Sequence, residues 1–258
     1  AITNQFLKEF PKVKNVNLLE LGPGNGLLSM DIYDYLKSKN VIVNDLTLLE
    51  KSEYFREKIS EKSEVKVNFI KNIYDYKIDN GDVVFIYSNE FFDAIGSKQF
   101  IYDNGNFNEI KISKNNDEYL LIKDSTIISR ELLNIYSSYN FKDNDILEHS
   151  NLILNILSDI QKLEFKKYFF TTTDYGYTKL PFKSTLRLLS NHKKLNLFDK
   201  FENVDYSFGV NFELMNSFFL KNNPSIIYQK DLILNNLPSE YLKSSDKNIK
   251  EMIDLISG

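Results

Sequence analysis

The sequence predicts an α/β protein built on a doubly wound, mostly parallel sheet, and two observations lead to this fold class. Apolar runs of strand length alternate with stretches of helical period between residues 16 and 87. A glycine-rich turn separates the first apolar run from the first helical stretch, as it does where a strand passes directly into a helix. This alternation is typical of parallel strands joined by crossover helices.

The elements of the first part of the chain follow from these patterns. Strands are predicted over 17–21, 43–50, 65–70 and 82–87, and helices over 27–39 and 53–62. Within the first of these helices the apolar residues recur at a spacing of three to four, which places them on one face. The stretch is therefore predicted to be an amphipathic helix.

A β-rich insertion is predicted at about 98–147. Three short β-prone runs, over 98–102, 107–112 and 119–122, are separated by Asn-Gly and Lys-Asn-Asn-Asp, which are turn sequences. Runs joined by such short turns pair as antiparallel hairpins, so the insertion should interrupt the parallel sheet with antiparallel strands.

The remainder of the chain returns to mixed helix and strand patterns. Helices are predicted over 150–163 and 211–221, a buried strand over 167–172, and a final strand over 225–234. We expect the final strand to be the one antiparallel strand of a seven-stranded sheet, near the C-terminus. Because the sequence holds no repeat, linker or charge block, residues 1–258 are expected to form a single domain with the insertion.

The composition excludes several classes of site. The 258 residues include no cysteine and two histidines, which removes disulfide scaffolds, cysteine-based zinc sites and iron-sulfur clusters, and no metal site is expected. The net charge of -4 argues against nucleic-acid binding driven by phosphate contacts, which needs a basic surface. The apolar runs are too short for a membrane span.

The strongest local signal is the glycine turn after Glu20, which holds Gly22, Gly24 and Gly26 at alternate positions. Glycine lets the backbone turn tightly and approach a ligand, because no Cβ intervenes. The dinucleotide pattern Gly-x-Gly-x-x-Gly places its third glycine one residue later. Gly-x-Gly-x-Gly after an acidic strand end is instead the usual form in Rossmann-like class I methyltransferases, which bind S-adenosylmethionine (AdoMet). The alternative is that the glycines form a turn and bind nothing.

Three further residues follow strand ends and complete a candidate cofactor site with Glu20 and the glycines. Glu50 ends the second strand at the distance where a carboxylate accepts hydrogen bonds from two ribose hydroxyls. Asn72 follows the third strand, where a contact with the adenine edge is expected, and Asn89 follows the fourth. Alternatively, Glu50 is a surface acid and Asn72 an ordinary turn residue.

The segment Ser88-Asn-Glu-Phe-Phe-Asp-Ala94 resembles a motif of the MidA family of AdoMet-dependent methyltransferases. The resemblance covers nearly the whole chain, in matching order. Further matching stretches start at Glu20, Leu49, Lys98, Asp174 and Thr185, and weaker ones at Glu148, Asp205 and Tyr228. Mitochondrial members of that family dimethylate an arginine in a subunit of respiratory complex I during its assembly. The resemblance therefore implies a protein substrate, with a complex I subunit as the partner.

Two departures from the family pattern bear on activity. The family carries a long segment before its first sheet strand, and this chain is expected to lack it, since about fifteen residues precede that strand. The family's Asp-x-Thr-x-His-Val-Asp-Phe also becomes Asp205-Tyr-Ser-Phe-Gly209-Val-Asn211-Phe, so a histidine and an aspartate are replaced.

Glu90 and Asp93 are the candidate catalytic residues. A guanidinium acceptor is cationic and planar, so carboxylates are needed to fix it and to offset its charge. Both residues follow the fourth strand, at the sheet edge where α/β proteins bind ligands. The alternative is that Asp93 caps the following helix and Glu90 lies in its first turn. Asp174, Tyr175 and His192 are candidates for the substrate side, with a turn residue and a surface histidine as the alternatives.

The sequence thus predicts an AdoMet-dependent methyltransferase, and by resemblance one that methylates a protein arginine. Two alternatives stay open: an AdoMet enzyme with a small-molecule acceptor, and a truncated assembly factor that binds a partner without catalysis. The expected location is the cytoplasm if the chain is bacterial, or the mitochondrial matrix if it is eukaryotic.

Overall fold

A computed structural model describes residues 1–77, 83–116, 118–191, 193–199 and 203–236. The chain divides into two compact units. The first unit comprises Ala1–Phe91, Asp159–Thr173 and the residues from Lys221 onward, and the second comprises Phe92–Ser158 and Asp174–Leu220. The expectation of a single domain with an insertion stays a prediction.

The first unit holds a parallel sheet with flanking helices. Its elements are α1 (Ile2–Glu9), β1 (Asn15–Leu21), α2 (Leu27–Ser38), β2 (Ile42–Leu49), α3 (Glu53–Lys62), β3 (Asn68–Ile70), a 3-10 turn (Ile73–Asp75), β4 (Val83–Asn89), β9 (Tyr168–Thr173), a second 3-10 turn that begins at the boundary between the units (Leu220–Asn222) and α7 (Gln229–Leu234). The strand order is β3-β2-β1-β4-β9, and all four pairings are parallel. The order reverses at β1, so the glycine turn after β1 lies at the position where such sheets bind ligands.

The core of the first unit is packed between the sheet and helices α1 and α2. β1 is central and is buried along Val16–Leu21. Phe6 of α1 stacks on Phe85 of β4 with 4.7 Å between the ring centroids, and Leu36 of α2 is fully buried in the same cluster. The apolar spacing predicted for α2 is thus confirmed in part: Leu28, Ile32 and Leu36 meet the core, whereas Leu27 and Tyr35 are exposed.

The second unit is built mainly on an antiparallel sheet. Its elements are β5 (Lys98–Asp103), β6 (Asn106–Asn115), β7 (Glu118–Ser125), α4 (Ser129–Ile135), β8 (Ile146–His149), α5 (Asn151–Lys162, which passes from the second unit into the first), β10 (Gly176–Tyr177), β11 (Arg187–Ser190), β12 (Lys193–Lys194), β13 (Asp205–Ser207), β14 (Val210–Asn211) and α6 (Phe212–Phe218). Strands β5 to β8 form one sheet in the order β7-β6-β5-β8. The remaining strands form a β12-β11-β13 sheet and a β10-β14 pair.

The predicted β-rich region is confirmed, and its turn chemistry explains the first hairpin. Asn104 and Gly105 adopt φ of +49° and +82°, the left-handed conformations that a two-residue hairpin turn needs. Phe100 of β5 and Phe107 of β6 are buried in the core of this unit, together with Leu132 of α4.

The strand predicted over 225–234 is wrong, because Gln229–Leu234 forms helix α7. The amide Nδ2 of Asn236 donates to the carbonyl of Leu232 at 2.7 Å and closes the last turn of that helix. The run of β-prone residues before it, Ile226 to Tyr228, pairs with no strand of the described part of the chain. An antiparallel strand is accordingly not among the five strands described in the central sheet.

Within the residues that the structure describes, no helix has the length and apolar character needed to cross a membrane. The described residues also contain no group of three potential metal ligands.

Candidate active site

The glycine turn connects β1 to α2, and its three glycines all have left-handed backbones. Gly22, Gly24 and Gly26 adopt φ of +66°, +54° and +77°. The Gly26 amide donates to the Pro23 carbonyl at 2.8 Å and closes the turn, and the Gly22 amide donates to Leu49 of β2 at 3.0 Å. Left-handed φ is unfavourable for residues with a Cβ, so the path of this turn favours glycine at each position.

The surroundings of the three glycines differ. A Cβ on Gly22 would lie 2.4 Å from Cδ2 of Phe91, and a Cβ on Gly26 would lie 3.0 Å from Cγ1 of Ile59. A Cβ on Gly24 would meet no atom within 4 Å. Gly22 and Gly26 are thus required by packing, and Gly24 leaves open space for a ligand.

Glu20 is buried at the end of β1, 2% exposed, and its Oε2 accepts a hydrogen bond from the Ser29 hydroxyl of α2. The Ser29 hydroxyl also lies 2.7 Å from the hydroxyl of Tyr87 on β4. Burial raises the pKa of Glu20 to about 7, and the Ser29 hydrogen bond partly offsets this rise. Glu20 is therefore a carboxyl group that changes charge near neutral pH.

Glu50 follows β2 and lies at the same end of the sheet. Its Oε1 accepts a hydrogen bond from the Ser52 backbone amide at 2.7 Å, and its own amide donates to Ile70 of β3 at 3.0 Å. Within the described part of the chain, Oε2 of Glu50 accepts no hydrogen bond. The side chain is thus held in place with one oxygen available for a ligand hydroxyl.

Asn72 follows β3 as predicted, whereas Asn89 lies within β4, which extends two residues beyond the predicted strand end. Asn72 precedes the 3-10 turn after β3, and its Nδ2 donates to Asp75 at 3.3 Å, an interaction typical of the turn residue named as the alternative. Asn89 is the exposed last residue of β4, which pairs with β1.

Glu90 follows Asn89 and has an unusual backbone. Its φ is +49°, and its amide donates to the Thr173 carbonyl of β9 at 2.7 Å. Its side chain is exposed at the carboxyl end of β4. A glutamate held in the left-handed region is strained, and such strain concentrates at functional sites.

The candidates Asp93, Asp174 and Tyr175 belong to the second unit. Asp174 Oδ1 accepts hydrogen bonds from the backbone amides of Phe92, at 2.8 Å, and Asp93, at 3.1 Å. The Asp93 side chain is 5% exposed, and no helix begins there, so the alternative of a helix cap is wrong. Asp174 stabilises the turn that contains Asp93.

Tyr175 is exposed, and the guanidinium carbon of Arg187 lies 5.2 Å from its ring centroid. His192, the remaining substrate-side candidate, lies outside the described residues.

The residues of the first unit fit a nucleoside-containing methyl donor. Gly24 provides a surface that a Cβ would occupy, and Glu50 provides an available carboxylate oxygen. Glu20 is a buried carboxylate that forms no salt bridge among the described residues. AdoMet carries hydroxyls for Glu50 and positive charge for a carboxylate, so the donor groups of the ligand and the acceptors of the protein match.

Comparison with known proteins identifies the family. Residues 1–225 match the model of a family described as "Putative S-adenosyl-L-methionine-dependent methyltransferase". The chain belongs to this family. The protein is accordingly an AdoMet-dependent methyltransferase, and AdoMet is its cofactor. None of the curated proteins matches the sequence.

Two solved structures share the fold of this methyltransferase. Both are COG1565 superfamily proteins of Burkholderia thailandensis, each 12% identical in sequence. The first has a TM-score of 0.77, and the superposition covers 99% of this chain and 71% of the Burkholderia chain. The second is described as a "likely methyl transferase" bound to S-adenosyl-homocysteine. It has a TM-score of 0.71, and the superposition covers 99% of this chain and 68% of the Burkholderia chain. The expected class I methyltransferase fold is confirmed.

The sequence did not indicate several residues that shape the site. Ser29 hydrogen-bonds to both Glu20 and Tyr87. Phe91 fills the space beside Gly22, and Ile59 fills the space beside Gly26. Ser29 follows the third glycine by three residues, in the first turn of α2, so helical spacing could have placed it near the loop. Phe91 lies within the 88–94 motif, although nothing in the motif indicated its contact with Gly22, and Ile59 and Tyr87 carry no comparable signal.

Proposed function

We propose that this methyltransferase transfers the methyl group of AdoMet to an arginine side chain of a partner protein, with Glu90 holding the acceptor. The observation that carries the proposal is the strained, exposed position of Glu90 at the carboxyl end of β4. That strand pairs with β1, whose end opens the glycine turn. A strained acid at the ligand-binding edge of the sheet is best explained by a contact with substrate.

The charges of the two reactants support a carboxylate in this place. An arginine side chain is positively charged at neutral pH, and the sulfonium of AdoMet is also positive. Bringing the two cations together is unfavourable unless a negative group offsets one of them. A glutamate beside the guanidinium provides that group and fixes the plane of the acceptor through charge-assisted hydrogen bonds.

Bound AdoMet supplies an electrophilic methyl group, and the chain's own residues position the acceptor. In the proposed reaction, Glu90 accepts a hydrogen bond from one N–H of the guanidinium and holds a neighbouring nitrogen toward the donor. That nitrogen attacks the methyl carbon, and the new N–C bond forms as the S–C bond of the donor breaks and its electron pair stays on sulfur in S-adenosyl-homocysteine. The methylated guanidinium returns to a single positive charge by giving Glu90 the proton of the N–H that the carboxylate holds. Since Glu90 is exposed, the proton can pass from the carboxylate to water.

The proposed cofactor contacts are those of the first unit. Gly24 faces the donor, Glu50 accepts hydrogen bonds from the ribose hydroxyls, and Asn72 contacts the adenine edge. Glu20 and Asn89 lie at the ends of β1 and β4, around the same turn. The Burkholderia relative described as bound to S-adenosyl-homocysteine supports a cofactor of this class.

The partner is proposed from the resemblance to the MidA family: a subunit of respiratory complex I, in a bacterial cytoplasm or a mitochondrial matrix. Asp93 was expected to act with Glu90 on the acceptor. Its burial and the hydrogen bonds around it favour a role in shaping the turn after Glu90. The experiment therefore separates the two carboxylates.

The test is a single-turnover assay with methyl-labelled AdoMet and the intact partner protein, in which mass spectrometry locates the labelled residue. Glu90→Gln should lower the transfer rate at least about tenfold, equivalent to about 1.4 kcal/mol, with donor affinity nearly unchanged. The matched control is Glu64→Gln, because Glu64 is an exposed glutamate after α3. This variant should transfer the methyl group at the rate of the unmodified chain. Asp93→Asn should reduce the free energy of unfolding as well as the rate.

Other outcomes would contradict the proposal in distinct ways. A label on lysine or on a carboxylate, or full activity of Glu90→Gln, would exclude the arginine chemistry. Transfer to small molecules and not to proteins would favour the alternative acceptor. Donor binding with no transfer to any acceptor would favour a non-catalytic assembly factor.

A further inference from the structure

Three polar side chains form a buried chain of hydrogen bonds at the start of the glycine turn. Glu20, Ser29 and Tyr87 are 2%, 0% and 0% exposed. When Glu20 is ionised, the Ser29 hydroxyl donates its one hydrogen to Oε2, so in the 2.7 Å contact with Tyr87 the phenol is then the donor. Two hydroxyls in series therefore point their hydrogens toward one carboxylate.

No cation of the described residues faces this carboxylate. The group that faces Glu20 from α2 is Ser29, the one from β4 is Tyr87, and its register partner on β2 is Leu48. Tyr87 is the titratable group among them, and its burial together with the nearby carboxylate raises its pKa, which keeps the phenol protonated. None of the described salt bridges includes Glu20.

A buried carboxylate that has hydroxyl donors and no cation is only partly compensated. Neutral hydrogen bonds stabilise the anion less than a positive partner does, so a large share of the molecules retains the proton near neutral pH. A positive ligand group that arrives beside Glu20 would favour the anion and expel that proton. The methyl donor carries two such groups, the sulfonium and the ammonium of its methionine part.

We propose that Ser29 and Tyr87 are positioning residues that hold Glu20 for a cationic group of the methyl donor, so that the donor binds with release of a proton. This inference rests on the proposed placement of the donor at the glycine turn. Protons and charge balance in this step: protonated Glu20 and the cationic ligand give an ion pair between the Glu20 carboxylate and the ligand, and one proton passes to solvent. Hydrogen bonds from the two hydroxyls fix the carboxylate in the orientation that the ion pair needs.

The size of the effect follows from the fraction of Glu20 that is ionised before binding. With a midpoint near pH 7, about one molecule in thirty is ionised at pH 5.5 and about three in four at pH 7.5. Donor affinity should then rise roughly 25-fold between these pH values, and binding at pH 7 should release about half a proton.

The experiment is isothermal titration calorimetry of the full chain with AdoMet between pH 5.5 and 7.5. Measurements in two buffers that differ in ionisation enthalpy give the number of protons released. Repeating them with S-adenosyl-homocysteine, which has the ammonium and lacks the sulfonium, shows which cationic group is responsible. Equal proton release by both ligands assigns the effect to the ammonium, and release by AdoMet alone assigns it to the sulfonium.

Three variants test the roles of the residues. Glu20→Gln should bind with an affinity that no longer changes with pH and should release no proton. Tyr87→Phe and Ser29→Ala should shift the midpoint to higher pH, because the anion loses hydrogen-bond support. The matched control is Tyr35→Phe, which removes the hydroxyl that donates to Asn4 on the outside of α2, and it should behave as the unmodified chain does.

Several results would overturn the inference. Donor binding with flat pH dependence and no proton release in the unmodified chain would remove Glu20 as the partner of the cation, while leaving the proposed function intact. A midpoint that is unchanged in both Tyr87→Phe and Ser29→Ala would remove their positioning role. Failure of AdoMet to bind at any pH would instead contradict the proposed function itself.

Discussion

Alanine substitutions at individual glycines separate the packing role of the glycine turn from its role in cofactor binding. Gly24→Ala places a methyl group in open space, whereas Gly22→Ala places one 2.4 Å from the Phe91 ring. Gly105→Ala is the matched control, because Gly105 also has a left-handed backbone, at φ +82°, and open surroundings, but lies in the β5–β6 hairpin.

The structure sets the expected loss of stability in each case. A left-handed backbone costs an alanine roughly 1 kcal/mol, so Gly24→Ala and Gly105→Ala should each lower the free energy of unfolding by about that amount. Gly22→Ala adds a clash within a packed region, which typically costs about 1 to 3 kcal/mol more. Its total loss should therefore be about 2 to 4 kcal/mol.

Cofactor binding should follow a different order. At a concentration of 100 times the dissociation constant, AdoMet should raise the free energy of unfolding of the unmodified chain by about 2.7 kcal/mol. A tenfold loss of affinity in Gly24→Ala would reduce this gain to about 1.4 kcal/mol. Gly105→Ala should keep the full gain. Chemical denaturation with and without AdoMet measures both quantities in the same samples.

Full stabilisation of Gly24→Ala by AdoMet would show that Gly24 does not contact the cofactor. The reasoning would also be refuted if Gly22→Ala were no less stable than Gly24→Ala, since the clash with Phe91 would then have no consequence.

Three further predictions concern individual carboxylates. Burial raises the pKa of Glu20 from 4.5 to about 7, so between these pH values the folded state retains a proton that the unfolded state loses. The free energy of unfolding should therefore fall by about 3 kcal/mol as pH rises through this window. Urea denaturation of Glu20→Gln should show no such fall. Glu50→Ala should weaken AdoMet binding by about 1 to 3 kcal/mol in calorimetry, and unchanged affinity would exclude the ribose contact. Glu90→Gly should relieve the left-handed strain and raise the free energy of unfolding by up to about 1 kcal/mol while abolishing transfer; a loss of stability would show that the backbone at Glu90 is not strained.

The parallel sheet could be predicted from sequence because its signals are local. The alternation of strand and helix periods fixed β1 to β4 and their helices, and the Asn-Gly turn at Asn104 indicated the first hairpin. The strand predicted over 225–234 is wrong because two three-residue apolar runs, 226–228 and 232–234, do not by themselves distinguish a strand from a helix. Helix α7 is closed by the side chain of Asn236, an interaction that periodicity does not register.

The candidate site was predictable to a similar extent. Residues at strand ends were placed correctly at the ends of their strands, because the topology fixes those positions. The distinct surroundings of the glycines depend on Phe91 and Ile59, and the hydrogen-bond chain that reaches Glu20 through Ser29 begins at Tyr87, which is 67 positions from Glu20 in sequence. Contacts of this kind arise when the chain folds, so they carry no pattern along the sequence.

The most direct test of the account is a crystal structure of the chain with S-adenosyl-homocysteine. We expect the ligand to cover Gly24, with its ribose hydroxyls within about 3.2 Å of the Glu50 carboxylate, the distance of a hydrogen bond. We also expect its ammonium group on the side of Glu20. A ligand bound away from the turn between β1 and α2, or a ribose that makes no contact with Glu50, would contradict the account.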